Sequence, residues 1–282
     1  MSTSDRYAVI GFPIGHSWSP FIHGMFAKQT GQNISYTRLE VTPENLAAEL
    51  ASFFEGGGKG LNVTVPHKQA ACLLTRYRTP RAEIASAVNT IAHREDGLLG
   101  DNTDGAGLLT DLTGNLSFRI ENTRVLVLGA GGAVRGVLGP LLGASPAYIE
   151  IANRTSERAT QLAKEFSTLG EIRGCGFDAI TSTESFDLIL NATSASLQDS
   201  TPPIPPTAVG PRTLCYDMAY GKGDTSFTRW AKSAGAERAE TGWGMLVEQA
   251  AESFQLWRGV KPQTAPVLAA VKSQAPPAST HL

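Results

Sequence analysis

Apolar positions along this chain come in two spacings that take turns. Short apolar runs at residues 7–10, 61–65, 125–128, 148–152, 187–191 and 214–217 are bounded by glycine, proline or polar residues, as buried parallel strands are. Between them the spacing becomes helical. Phe21, Ile22, Met25 and Phe26 follow Ser19-Pro20, which predicts Ser19 as N-cap and Pro20 as the first helical residue. Leu46, Leu50 and Phe53 follow Thr42-Pro43, and the glycines at 56–58 end that helix. Residues 34–41 read as a further strand, and Pro66 stops the strand at 61–65. Glu95-Asp96-Gly97 joins 89–92 to 98–100 as a hairpin. A helix or linker follows Asp104, the proline-rich stretch 202–211 is a loop, and a long amphipathic helix runs from Gly244 to about Trp257. Residues 273–282 look like a frayed tail, and no repeat is present. Strands and helices alternating in this way predict an α/β protein with mostly parallel sheets.

One junction carries chemistry. The run 125–128 ends at Gly129, and Val134, Val137, Leu138, Leu141 and Leu142 follow Gly132 at helical spacing. Strand, glycine turn and helix together make a phosphate cradle: Gly129 permits the tight turn, while Gly131 and Gly132 remove side chains where backbone must approach a pyrophosphate at a helix N-terminus. Val134 departs from the usual third glycine or alanine. The next strand ends at Asn153-Arg154-Thr155, with Arg158 one turn on, where an NAD-binding chain carries an acid. A guanidinium fork matches phosphate oxygens, and each charge-assisted bond contributes roughly 1.5–3 kcal/mol. Even the low end favours NADP over NAD about tenfold. The same two arginines would also suit a solvated helix start.

Elsewhere polar side chains gather at strand ends. Lys68 lies just past the run 61–65, where open α/β sheets bind ligands, and Asp101-Asn102-Thr103-Asp104 places acids and hydrogen-bonding groups in one loop. Lys68 supported by Asp104 could move the hydroxyl proton that accompanies hydride transfer to or from a carbinol carbon. Equally, Lys68 suits a surface lysine at a helix start, and Asp104 an N-cap. Ser17 and Ser19 offer two hydroxyls and a helix N-terminus to a carboxylate. With Asn62, Thr64, Asn89, Thr90, Asn102 and Gln249 they make a lining suited to a small polyhydroxylated acid.

Composition narrows the picture. At 282 residues the chain has room for two domains. With 24 basic against 26 acidic residues there is no field for a polyanion, so nucleic acid is not an expected partner. No apolar run reaches membrane length and no cleavage pattern opens the chain, so the expectation is a cytoplasmic protein with no membrane partner. Cys72, Cys175 and Cys215 are widely spaced and read as reduced thiols. His16, His23, His67, His93 and His281 show no metal-binding spacing, and no metal is expected.

Nine blocks in order over nearly the whole chain resemble the shikimate dehydrogenase family: PIGHSWSP at 13–20, GLNVTVPHK at 60–68, AVNT at 87–90, GDNTDG at 100–105, GAGGA at 129–133, NRT at 153–155, NATS at 191–194, YDM at 216–218 and GWGMLVEQA at 242–250. The resemblance implies NADPH-dependent, reversible reduction of 3-dehydroshikimate to shikimate, the step before shikimate phosphorylation in chorismate and aromatic amino-acid biosynthesis. It implies Lys68 and Asp104 as the catalytic pair, Ser17 and Ser19 on the substrate carboxylate, and Thr64, Asn89, Tyr220 and Gln249 among the other substrate contacts. NADP would rest on Gly129, Ala130, Gly131, Gly132 and Ala133, with Asn153, Arg154, Thr155 and Arg158 at its 2′-phosphate end. Thr193, Met218, Gly242 and Met245 would line its nicotinamide side. The implied fold is an α/β substrate domain, 1–104 with 243–282, and an inserted Rossmann-type NADP domain, 105–242, in a monomer or homodimer. Gly24, His67, Ala195 and Gly221 depart from the family's usual residues and leave activity on quinate open. The alternatives are a quinate/shikimate dehydrogenase of broader specificity and a non-catalytic metabolite sensor on the same scaffold.

Overall fold

The alternating runs close into two six-stranded sheets, each in its own compact unit: Met1–Leu108 with Leu246–Leu282, and Leu109–Met245. The structure is a computed structural model and describes residues 4–180, 185–193, 195, 200–221 and 223–274. Ser194, His281 and all of the tail beyond Gln274 lie outside the described residues.

In the first unit the strands are β1 (Asp5–Gly11), β2 (Ile34–Glu40), β3 (Gly58–Val63), β4 (Tyr77–Arg78), β5 (Thr90–Arg94) and β6 (Gly97–Asp101), ordered β2-β1-β3-β5-β6-β4. β1 runs parallel to β2 and β3, and the β5–β6 hairpin is antiparallel. Its helices are α1 (Ser19–Thr30), α2 (Leu46–Glu55), α3 (Lys68–Leu74) and α4 (Pro80–Ala85). The helix α5 (Asp104–Thr110) contains the division between the units. Leu46, Leu50 and Phe53 of α2 bury the apolar stripe that the spacing predicted, with Phe54 buried beside them, in one core with Ala8, Ile10, Leu61 and Val63 of the sheet.

Three details differ from the pattern's prediction. Trp18, not Ser19, is the N-cap of α1; Ser19 is already helical, and the Ser17 hydroxyl accepts its N–H at 3.3 Å. Strand β3 ends at Val63 and Val65 is exposed, because the chain turns outward at Pro66. Asp104 is the first residue of α5 and does not act as an N-cap; its own N–H is accepted by Asn102 Oδ1 at 3.2 Å, which frees its carboxylate for other partners.

The second unit holds β7 (Arg124–Leu128), β8 (Tyr148–Asn153), β9 (Ile172–Gly176), β10 (Phe186–Asn191), β11 (Val209–Asp217) and β12 (Arg238–Thr241), all parallel, in the order β12-β11-β10-β7-β8-β9. The helices α6 (Gly132–Gly143), α7 (Ser156–Phe166) and α8 (Ser226–Ser233) connect them; α9 (Trp243–Arg258) contains the second division, and α10 (Ala265–Ser273) belongs to the first unit. The five residues expected to face inward from α6 are all buried. The order reverses at β7, whose neighbours are β8 on one side and β10 on the other, and ligands bind outside the carboxyl ends of strands at such a switch point.

The stretch 202–211 is not wholly loop, since β11 begins at Val209. Pro211 sits where the β10–β11 register shifts, a place that tolerates a missing N–H, and the Thr213 hydroxyl bridges the gap by donating to Phe186 O at 2.6 Å.

Candidate functional site

In the first unit the strand-end residues meet. Lys68 opens α3 and Asp104 opens α5, and Nζ lies 2.6 Å from Oδ2. The lysine side chain is 12% exposed and the carboxylate 5%, so the pair is mostly shielded yet reachable at its lysine end. Asn89 Nδ2 donates to Asp104 Oδ1 at 2.8 Å, to Thr103 Oγ1 at 2.8 Å and to Gln249 Oε1 at 3.3 Å. Lys68, Asp104, Asn89 and Gln249 therefore form one bonded cluster, drawn from α3, α5, α9 and the bend just before β5.

A clamp shapes the loop beneath. The Arg81 guanidinium grips Asp101 through Nε at 2.7 Å and Nη2 at 2.6 Å, and Asp101 Oδ1 also accepts from Thr79 Oγ1 and from the Asn102 N–H. Burial pushes this carboxyl up, but the Arg81 and Thr79 bonds outweigh it and hold it below the usual range. Asn102 Nδ2 donates to Ala87 O at 2.9 Å, so the turn that presents Asp104 is tied down on both sides.

Ser17 and Ser19 are both buried, with hydroxyls 3.2 Å apart, and Arg38 donates to Ser17 O. Beside them Tyr36 stacks on His23 at 4.3 Å between ring centroids, and both donate to Asn62 Oδ1, from Tyr36 OH at 2.7 Å and His23 Nε2 at 3.1 Å. Burial raises the Tyr36 phenol well above its ordinary value against a Ser19 hydrogen bond, and burial lowers His23 to about 3 against its Asn62 bond. Both rings are thus neutral across the ordinary pH range. Thr64 is half-buried at the turn after β3 and is not part of the bonded cluster; Gly11 makes room for its methyl, which would lie 2.5 Å from a Cβ there. His67 is buried and its Nε2 donates to Val41 O at 2.7 Å.

The second unit carries a groove of about 370 Å³ lined by Gly129, Ala130, Gly131, Asn153, Arg154 and Thr193, among others. Gly129 has φ +109°, a left-handed conformation that side chains resist, and a Cβ there would press on Ala192 O at 3.2 Å. Gly131 is the N-cap of α6 without a side-chain capping bond, followed by Gly132 and Ala133 in the first turn, which leaves backbone N–H groups for an anion. Arg154 and Arg158 are exposed, and neither guanidinium has an ion-pair partner among the described residues. Thr155 is the N-cap of α7 without a capping bond, and Asn153 Nδ2 donates to Thr155 O at 3.0 Å. Glycine turn, open helix start and two unpaired guanidiniums fit a dinucleotide carrying a 2′-phosphate.

Thr193 Oγ1 donates to Asn191 Oδ1 at 2.7 Å, and Asn191 Nδ2 donates to the buried Asp217 at 3.1 Å. Met218 N bonds to Asn191 O, and Gly242 N to Ala219 O; a Cβ on Gly242 would stand 2.4 Å from Met218 O. Met245 N reaches Tyr216 OH at 3.3 Å, and Tyr220 lies against Trp243 with centroids 4.8 Å apart. Thr193, Met218 and Gly242 thus collect at the carboxyl ends of β10, β11 and β12, and Tyr220 lies in this unit.

Sequence reading missed Ser253, whose buried hydroxyl lies 2.9 Å from Asn62 Nδ2 and 2.7 Å from Thr90 Oγ1. It also missed Thr103 as an individual contact and the Asn191–Asp217 pair. Ser253 stands one turn after Gln249, which puts both on one helix face but does not by itself say what that face meets. Among the described residues no cluster could hold a metal ion, and no helix is long and apolar enough to cross a membrane.

Comparison with known proteins agrees along the chain. Residues 9–91 match the family model of the shikimate dehydrogenase substrate binding domain, 112–199 that of shikimate / quinate 5-dehydrogenase, and 242–272 that of the shikimate 5'-dehydrogenase C-terminal domain. The shikimate dehydrogenase (NADP(+)) of Methylococcus capsulatus is 50% identical over 275 residues, 97% of this chain and 98% of that one. An Ael1 enzyme from Pseudomonas putida superposes with a TM-score of 0.88 at 44% identity, covering 96% of this chain and 99% of its own. The shikimate 5-dehydrogenase of Thermus thermophilus, solved with NADP(H) and shikimate, gives a TM-score of 0.84 at 32% identity over 95% of this chain and 98% of its own. With half its residues shared with such a relative end to end, the chain belongs to the shikimate dehydrogenase family.

Proposed function

We propose that this protein catalyses the reversible, NADPH-dependent reduction of 3-dehydroshikimate to shikimate, in the pathway to chorismate and the aromatic amino acids. The observation that carries the reading is the 2.6 Å pair of Lys68 and Asp104, fixed by Asn89 in the unit whose residues 9–91 match a substrate binding domain. Bound NADPH supplies the hydride that reaches the C3 carbonyl carbon. Lys68 Nζ gives the accompanying proton to the carbonyl oxygen, and in the reverse direction takes it back, exchanging protons with solvent at its exposed end. Asp104 holds that ammonium at one point, and Asn89 holds Asp104.

Ser17 and Ser19 hold the substrate carboxylate through hydroxyls and the N–H groups that open α1. Thr64, Asn89, Gln249 and Tyr220 address its hydroxyls and ring. Residues 129–133 cradle the pyrophosphate, Asn153, Arg154, Thr155 and Arg158 take the 2′-phosphate, and Thr193, Met218, Gly242 and Met245 line the nicotinamide side. The Met1–Leu108 and Leu246–Leu282 segments act as the substrate domain and Leu109–Met245 as the NADP domain. The enzyme works in the cytoplasm on small molecules, as a monomer or homodimer.

A broader action that includes quinate is favoured by one observation, the match of residues 112–199 to a family described for both acids. Purified protein offered shikimate or quinate with NADP or NAD, followed by reduced nicotinamide absorbance, separates the readings. Turnover of shikimate with NADP supports the enzyme, added turnover of quinate the broader one, and tight binding without turnover a sensor.

A further inference from the structure

The Asn89 side chain has two orientations of nearly equal shape. In one, Nδ2 faces the Asp104 carboxylate and donates to it; in the other, Oδ1 would face that carboxylate and repel it. What holds the productive orientation is the set of donors on the opposite side. Asn89 Oδ1 accepts from the Thr103 N–H at 2.8 Å and from the Thr90 hydroxyl at 2.8 Å.

A hydroxyl has one hydrogen to give. Thr90 directs its hydrogen at Asn89 because Oδ1, 2.8 Å away, can only accept, whereas Asn62 Nδ2 at 3.2 Å donates and the Ser253 hydroxyl at 2.7 Å is able to. With the Thr90 hydrogen committed, two hydroxyl oxygens 2.7 Å apart still need a hydrogen between them, so Ser253 gives its own to Thr90 in preference to the longer contact with Gln249 O at 3.1 Å, and it accepts from Asn62 Nδ2 at 2.9 Å. Asn62 cannot flip either, since its Oδ1 accepts from Tyr36 OH and His23 Nε2. The donors therefore run one way, from the two rings through Asn62, Thr90 and Asn89 to the Asp104 carboxylate, and bonds aligned in this manner strengthen one another. Thr90 and Ser253 are both fully buried, so no water replaces a lost hydroxyl without rearrangement.

We propose that Thr90 and Ser253 are positioning residues, whose hydroxyls orient the Asn89 amide and thereby aim Asp104 at Lys68. This rests on the reading of Lys68 and Asp104 as the proton-transfer pair. Neither residue touches the pair itself.

Thr90 allows a clean test, because valine keeps its shape and loses the hydroxyl while serine keeps the hydroxyl and loses the methyl. Shikimate oxidation with NADP is measured for wild type, Thr90→Val, Thr90→Ser and Ser253→Ala, each checked for a cooperative thermal transition. Thr90→Val is expected to lower kcat on the order of tenfold, the equivalent of one hydrogen bond, with Ser253→Ala lower in the same direction and Thr90→Ser near wild type. The Asn89 side-chain amide protons, followed by NMR, report the same geometry without turnover. They should be exchange-protected in wild type and Thr90→Ser and lose protection in Thr90→Val. Full activity and an unchanged amide signal in Thr90→Val would overturn the inference, as would equal losses in the valine and serine variants, which indicate packing. A wild type that turns over no shikimate sinks the enzymatic reading instead, and the amide protons alone then decide the inference.

Discussion

At residue scale the decisive features are charges with assigned partners and charges without them. Lys68 is satisfied by Asp104, whereas Arg154, just past β8, and Arg158, in the first turn of α7, have no ion-pair partner among the described residues. Replacing Arg154 by alanine should raise the KM for NADPH about tenfold or more, one charge-assisted bond, and hardly move the KM for NADH. Equal effects on the two cofactors would remove Arg154 from 2′-phosphate recognition. Both features were legible because they sit just past apolar runs, where the chain leaves a sheet. Ser253 was not legible, since its partners Asn62 and Thr90 lie 191 and 163 residues away along the chain. A serine on an amphipathic helix carries no mark of what it will face.

Elements follow the same logic. The β7 strand, glycine turn and α6 could be read outright, because a buried central strand is apolar throughout and α6 has a clean inward stripe. The edge strands β9 and β12 escaped, as a strand paired on one side only can be polar; β12 is Arg-Ala-Glu-Thr and half-buried throughout. Close approach of helices is equally silent in a periodicity. Gly107 of α5 meets α9 so tightly that a Cβ would lie 2.6 Å from Gln249 N and 2.7 Å from its Cβ. Gly107→Ala should therefore cost about 1–3 kcal/mol by overpacking and displace Gln249 from Asn89 and Thr103. Denaturant unfolding and the KM for shikimate check this together; a variant unchanged in both would mean that the helices part without consequence.

For the whole molecule, α/β architecture followed from alternation alone, while the path by which polar groups share bonds needed coordinates. One consequence is a dependence of stability on pH. His23 is fully buried and its folded value is about 3 against an ordinary 6.5, so between those values the unfolded chain binds a proton that the folded chain does not. Stability from this group is complete above about pH 6.5 and is lost as pH falls towards 3, at roughly 1.4 kcal/mol per unit. Asp101, held below its ordinary 3.8, begins to lose its contribution as pH falls past that value. Urea unfolding of wild type and His23→Phe from neutral pH down to about pH 4.5 should show the shallower decline in the variant. Parallel declines would place the buried imidazole outside the acid response.

The most direct test of the account compares wild type and Lys68→Ala in shikimate oxidation with NADP at saturating substrate, alongside their thermal transitions. The account predicts reduced nicotinamide from wild type, a kcat at least about 10²-fold lower in the variant, and a cooperative thermal transition that shows the variant folded, shifted down by loss of the shielded Lys68–Asp104 pair. A Lys68→Ala enzyme that keeps wild-type turnover, or a wild type that forms no reduced nicotinamide, would contradict it.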